Sequence, residues 1–261
     1  MPDVTSPYPP GTPCWVDLAA PDQKAAIDFY ADLLGWSGEV GPPETGGYAV
    51  CTLNGKPVAG IMAAVAMGDQ PAPPTVWTTY LASADAEATQ RSVASAGGTV
   101  LMPVMDVMSL GRMFIAADPT GAVFGVWQPV DFPGAGIVNE PGALIWNELN
   151  TTERSAASAF YKAAFGIESA AAEGIEHYNT LQVAGHPVGG VRPMPEHLPA
   201  DTPSHWLTYF AVPDTDAAVA KVIKAGGSTI VEPIDMVVGR IAVLTDPQGA
   251  VFALIHPKSG E

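Results

Sequence analysis

Two short segments of this chain set an acid beside an indole. Trp15-Val16-Asp17-Leu18 comes back 131 residues later as Trp146-Asn147-Glu148-Leu149. On an extended strand, residues two apart share a face, so Trp15 neighbours Asp17 and Trp146 neighbours Glu148. An apolar neighbour strips water from a carboxyl and favours its neutral form. A general acid or base working near neutral pH needs such a shift. Asp17 and Glu148 are therefore the candidate acid/base residues; if either meets a buried donor instead, it is a satisfied polar group. Trp77-x-Thr79-Tyr80 likewise returns as Trp206-x-Thr208-Tyr209, adding the phenols of Tyr80 and Tyr209 as proton donors. Gly111-Arg112 returns as Gly239-Arg240, with Asp106 and Asp235 a few residues upstream. Either each Asp–Arg pair closes a loop, or Arg112 and Arg240 anchor a substrate. Met102, Met105, Met108 and Met113 form a cluster that either lines an adaptable aromatic surface or fills gaps beneath a loop. No G-x-S-x-G elbow, no P-loop and no G-x-G-x-x-G following a strand is present.

The elements that carry these residues are written twice. Residues 118–129 read DPTGAVFGVWQP and residues 246–257 read DPQGAVFALIHP, identical at seven of twelve positions. Phe29-Tyr30, Gly35 and Gly97-Gly98 return as Phe160-Tyr161, Gly166 and Gly226-Gly227. A match sustained over half a chain marks a duplicated domain. The spacing predicts an N-terminal domain over 11–130, a Pro/Gly-rich linker over 131–141 and a C-terminal domain over 142–257. Within the first half, an alternating strand from Cys14 precedes a helix that Asp22 caps and Gly35 stops. A hairpin turning at Asn54-Gly55 follows. The scheme restarts at Val76 with a strand, a helix from about Asp85 to Ala96, and further strands ending at Gln128. Each half therefore reads as two βαβββ modules.

Composition sets the outer limits. The 261 residues are 48% apolar and carry a net charge of −16. Such a charge repels phosphate backbones and anionic lipid, which argues against nucleic acid and membrane partners. No apolar run reaches bilayer length, and the N-terminus has no signal-peptide pattern. Two cysteines, Cys14 and Cys51, read as free thiols of a cytoplasmic chain. The first ten residues read as a loose Pro-rich tail.

The patterns D-x6-FY-x4-G, from Asp22 through Phe29 and Tyr30 to Gly35, and DP-x-G-A-V-F, from Asp118 and from Asp246, resemble the vicinal oxygen chelate superfamily. That superfamily includes glyoxalase I, extradiol dioxygenases and bleomycin-resistance proteins. The resemblance spans roughly residues 11–257 and is greatest to two-domain actinobacterial relatives, some labelled hydroxylases of antibiotic pathways. It implies an α+β fold of tandem glyoxalase-like domains, four βαβββ modules whose curved mixed sheets enclose clefts. Metal-dependent members carry a His seven residues before the capping Asp, a ligand on the fifth strand, and a Glu seven residues after the Asp of the DP-x-G turn. Those positions hold Trp15, Thr78 and Gly125 in the first half and Trp146, Leu207 and Ala253 in the second. Indole, methyl and hydrogen do not bind divalent ions, so neither metal nor other cofactor is expected. The histidines, His177, His186, His197, His205 and His256, form no helical ligand pair; His205 shares a strand face with Leu207.

Carried onto this chain, the ligand register implies what lines each cleft. The first would hold Trp15, Asp17, Thr78, Tyr80 and Trp127, with Met105 and Arg112 nearby. The second would hold Trp146, Glu148, His205 and Tyr209, with Arg240 nearby. Trp77 and Trp206 lie one residue out of register and should face the helices. Indoles, phenols and one carboxylate per cleft suit a flat, largely apolar ligand with a few polar handles. Alternatively, each cleft is filled by its own indoles. The more aromatic first cleft is expected to dominate binding. Two functions follow: a metal-free binder of an aromatic or polyketide-like metabolite, or a metal-independent enzyme (cyclase, isomerase, lyase or hydroxylase-associated) using Asp17 or Glu148. The duplication predicts a monomer or weak dimer.

Overall fold

A computed structural model describes residues 3–66, 72–196, 198–199 and 201–258; His197 and part of the Pro-rich connection near residue 70 lie outside them. The first half begins with β1 (Pro13–Ala20), α1 (Gln23–Leu34), β2 (Ala49–Leu53) and β3 (Lys56–Ala63). Its second module is β4 (Trp77–Ala82), α2 (Ala86–Ser95), β5 (Thr99–Val107), β6 (Gly111–Ala117) and β7 (Val123–Pro129). The second half runs β8 (Leu144–Thr151), α3 (Arg154–Phe165), β9 (Glu168–Ala171), β10 (Asn179–Val183) and β11 (His186–Pro193). It ends with β12 (His205–Ala211), α4 (Thr215–Lys224), β13 (Ser228–Met236), β14 (Gly239–Thr245) and β15 (Val251–Pro257). The class is α+β, with two open mixed sheets ordered β2-β3-β1-β4-β7-β6-β5 and β13-β14-β15-β12-β8-β11-β10-β9.

Both modules of a half therefore join one sheet. They meet at an antiparallel seam, β1 on β4 and β8 on β12, flanked by parallel pairs. Three modules are βαβββ. The first is βαββ: an isolated Ser37–Thr52 bridge stands where β9 stands in the second half. The strand before β6 runs on to Val107, so Met105 lies in a strand beside Met113 rather than in a loop.

Local chemistry explains the helix ends. The Asp22, Asp85 and Asp214 side chains accept from backbone N–H groups of the first turn, and Gly35 and Gly166 end α1 and α3 in the left-handed conformation. Apolar faces of both halves then merge. One core combines α1 with Phe210, Phe252 and α4; the other combines Phe114 and Phe124 with Phe160 and Tyr161 of α3. The motif residues lock this arrangement crosswise. Tyr30 donates to Asp246 Oδ2 at 3.1 Å, and Tyr161 stands beside Asp118. The other oxygen of each Asp accepts backbone N–H groups of its own DP-x-G turn. As their register implied, Trp77 and Trp206 point to the helices, donating to Tyr30 and Tyr161.

The segments expected to be loose are tied down. Asp3 bridges Ile137 and pairs with Lys56, Val4 N–H donates to the Gly136 carbonyl, and Tyr8 donates to the Ala135 carbonyl. Backbone bonding to the linker holds this tail, a constraint that Pro content does not report. Among the described residues no helix is long and apolar enough to cross a membrane.

Candidate functional site

Each sheet has a concave face turned away from the helices, and the repeated acids lie there. In the first, Trp15 Nε1 donates to the Tyr48 hydroxyl at 2.8 Å, which donates to Asp17 Oδ2 at 3.1 Å. Tyr80 approaches the same carboxyl without closing an aligned bond to Oδ1, which is buried and unpartnered. Burial pushes the Asp17 carboxyl up to about 7, against the nearby hydroxyls of Tyr80 and Tyr48, which pull it down. In the second, Trp146 Nε1 donates to the Tyr178 hydroxyl at 2.8 Å and Tyr209 donates to Glu148 Oε1 at 3.0 Å. Burial raises Glu148 as well; the charge of Arg192 and the hydroxyls of Tyr209 and Tyr178 oppose it.

Tyr48 and Tyr178 were not among the residues expected from sequence. They enter because a glycine on the strand beside the acid leaves room. A Cβ on Gly60 would come within 1.9 Å of the Tyr48 hydroxyl, and one on Gly190 within 1.9 Å of that of Tyr178. The signal was present in the repeat: Tyr48, Gly55, Pro57, Val58 and Gly60 match Tyr178, Gly185, Pro187, Val188 and Gly190.

The two faces differ in access. Trp15, Tyr80 and Trp127 form a buried cluster with Cys14, Ala82 and Ala135. Phe132 of the linker packs edge-on to Trp15 at 4.9 Å and lies 6.1 Å from Trp127, whose Nε1 donates to the Phe132 carbonyl. Trp15 is 5% and Trp127 8% exposed. The first cleft is thus the more aromatic one, but its own indoles and the linker fill it. In the second, Trp146 remains half-buried, beside Ile145, Ile241 and Val243, over a floor of Leu207, Tyr209, Ala253 and Ile255.

The structure places the remaining candidates as follows. Thr78 is the cross-strand partner of Asp17 and half-buried. Met105 is exposed at the rim, paired with Met113. His205 sits beside Asn150 and its Nδ1 is 2.9 Å from the Pro203 carbonyl. Arg112 and Arg240 turn instead to the helix side. Arg112 pairs with Asp106 and with Glu87 of α2, and Arg240 with Asp235 and with Asp216 of α4. Period-two alternation puts Arg112 with Phe114, not with Met113.

The donor set at the superfamily's metal positions does not fit a divalent ion. Trp15 and Trp146 spend their N–H groups on tyrosines, and a Cβ at Gly125 would lie 2.2 Å from the Tyr80 ring, which fills that position. Among the described residues, no three His, Cys, Asp or Glu side chains gather in a metal-binding group.

Paired open sheets with an acid at the centre of each concave face define a tandem glyoxalase-like protein. The chain belongs to the glyoxalase/bleomycin resistance protein/dioxygenase superfamily, which it matches over residues 14–126, with a glyoxalase-like domain over 147–255. It is 45% identical over 259 residues to "Putative glyoxylase CFP32" of Mycobacterium tuberculosis, covering 97% of each chain. It is 38% identical over 278 residues to the anthracycline biosynthesis protein DnrV of Streptomyces peucetius, covering 97% of this chain and 96% of that one. Among solved structures it resembles the Mn(II)-bound glyoxalase of Novosphingobium aromaticivorans, with a TM-score of 0.63 at 17% identity, covering 97% of this chain and 86% of the other. At that identity the likeness concerns the fold.

Proposed function

We propose that this protein binds a small aromatic or polyketide-like metabolite of antibiotic resistance or biosynthesis, without a metal, on the concave face of its C-terminal sheet. The observation that carries this reading is the half-buried Trp146 indole beside a hydrogen-bonded Glu148, Tyr178 and Tyr209. A flat apolar surface with polar groups at one edge suits a planar, oxygenated ring system. The anthracycline biosynthesis relative supports that ligand class. Buried, unpaired thiols at Cys14 and Cys51 support a cytoplasmic location. The raised Glu148 carboxyl favours a second reading: a metal-independent enzyme in which Glu148 takes a proton and Tyr209 supplies one. Asp17 has the same chemistry but lies beneath the aromatic cluster that Phe132 closes.

Titration with a planar anthraquinone, read by tryptophan fluorescence, tests the binding reading. Quenching is expected in the native protein. Trp146→Ala should weaken affinity about thirtyfold, the loss of an aromatic hot spot worth on the order of 2 kcal/mol. Trp15→Ala should instead cost roughly 3–5 kcal/mol of stability, as a core truncation. Equal binding by native and Trp146→Ala protein, or about one transition metal per chain by elemental analysis, overturns the proposal.

A further inference from the structure

The concave face of the C-terminal sheet carries a polar row that its twin lacks. Strand register places Arg192 of β11 beside Asn150 of β8, and Asn150 beside His205 of β12. One repeat earlier, the same three neighbouring positions are Met62, Ala19 and Val76. At equivalent places in the two sheets, the duplicated halves have thus diverged to a cation, an amide and an imidazole on one side and to three apolar groups on the other.

Among the described residues, no hydrogen bond or ion pair takes up Arg192 or the Asn150 carbonyl oxygen. Asn150 is 2% exposed and its Oδ1 has no hydrogen-bond partner. An orphaned buried carbonyl oxygen is expensive, and native proteins keep few of them. Arg192 is half-buried and makes no ion pair among the described residues. Its charge falls on this face, where it acts on Glu148, Tyr178 and Tyr209. The Nδ1 of His205 is engaged by the Pro203 carbonyl, which leaves Nε2 open.

We propose that Arg192 and Asn150 form a carboxylate subsite, so that the ligand is a planar aromatic acid with its ring on Trp146 and its anionic head on this row. The inference rests on the ligand face proposed above and specifies the chemistry of what lies there. A guanidinium presents a planar fork that matches a carboxylate. The Asn150 amide stands beside Arg192 in the strand register, and its Nδ2, which no hydrogen bond among the described residues takes up, gives the head a second donor. A single cation with the acidic Glu148 two residues along the strand suits one negative charge rather than a phosphate dianion.

Anthraquinone-2-carboxylate and anthraquinone-2-carboxamide, alike in shape and different in charge, test it by fluorescence titration of the full chain. The native protein should bind the acid about tenfold more tightly than the amide. Arg192→Met, which installs the residue of the first half, should remove that preference by weakening the acid alone. Arg192→Lys should restore part of it, and a melting curve on each variant checks folding. Equal affinities for the two probes in the native protein, or equal weakening of both by Arg192→Met, overturns the carboxylate subsite and leaves the aromatic face standing. If neither probe quenches, both readings fall.

Discussion

Asp17 and Glu148 occupy twin positions, yet their surroundings give them different prospects. Asp17 is held by Tyr48 under a closed aromatic cluster, whereas Glu148 lies beside a half-buried indole and within the field of Arg192. The Asp17 carboxyl rises from its ordinary 3.8 to about 7, chiefly through burial. Between those two values the folded protein keeps a proton that the unfolded chain has lost, so this group's contribution to stability falls as pH rises through that window, then levels off. Asp17→Asn removes the titration while keeping an acceptor for Tyr48. The variant should therefore gain on the native protein from pH 5 to pH 8 in denaturant melts, by up to ~1.4 kcal/mol per pH unit within the window. A difference that stays constant with pH would contradict it. At this scale the pairing of Trp15 with Asp17 and of Trp146 with Glu148 was legible from the period of two. Tyr48 and Tyr178, and the Asn150–Arg192 row, were not, because Tyr48 and Tyr178 lie just before β2 and β10 and Arg192 on β11, and no local pattern fixes how those segments meet the strand of the acid.

At the scale of elements, the helix caps, the hairpin turn and the glycine stops fell where local chemistry put them. Asn54 and Gly55 both take positive φ in the turn between β2 and β3. What local chemistry did not reveal is the role of the linker. Residues that read as a spacer instead send Phe132 over Trp15 and Trp127, and Ala135 into the buried cluster beneath. Phe132→Ala should uncover both indoles. Because the side chain is half-buried, the cost should be roughly 2–3 kcal/mol, below that of a fully buried phenylalanine. Tryptophan emission should shift to the red and become accessible to acrylamide. An unchanged spectrum would show that the first face is closed without the linker. The arginines of the Gly-Arg repeat belong to this scale too: they fasten β6 to α2 and β14 to α4.

Across the whole molecule, the motifs that reveal the duplication act between the halves. Tyr30 reaches Asp246, Tyr161 lies beside Asp118, and Thr79 donates to Asn147 at 2.8 Å where β4 meets β12. Each helix-side core contains residues of both halves, so neither half can bury its own apolar face alone. One cooperative unfolding transition is expected by calorimetry, and residues 11–130 expressed alone should be unfolded or aggregated. Two separated transitions would sink this view. Since the second half covers the helix faces of the first, we propose a monomer or weak dimer, which sedimentation at micromolar concentration tests in the same samples.

The sequence by itself determined the duplication, the α+β class, the strand faces of the tryptophans and the absence of metal-ligand side chains at the superfamily's positions. These follow from a period of two along the strands and a repeat offset of 128 to 131 residues between the halves, both of which survive in one dimension. Only the tertiary structure decided which concave face is closed, that Tyr48 and Tyr178 join the acids, and that the FY and DP-x-G motifs hold the halves to each other. Those outcomes depend on contacts between residues far apart in the chain, such as Phe132 with Trp15 and Tyr30 with Asp246. Strand register and the path of the linker create such contacts, and no spacing between neighbours encodes them.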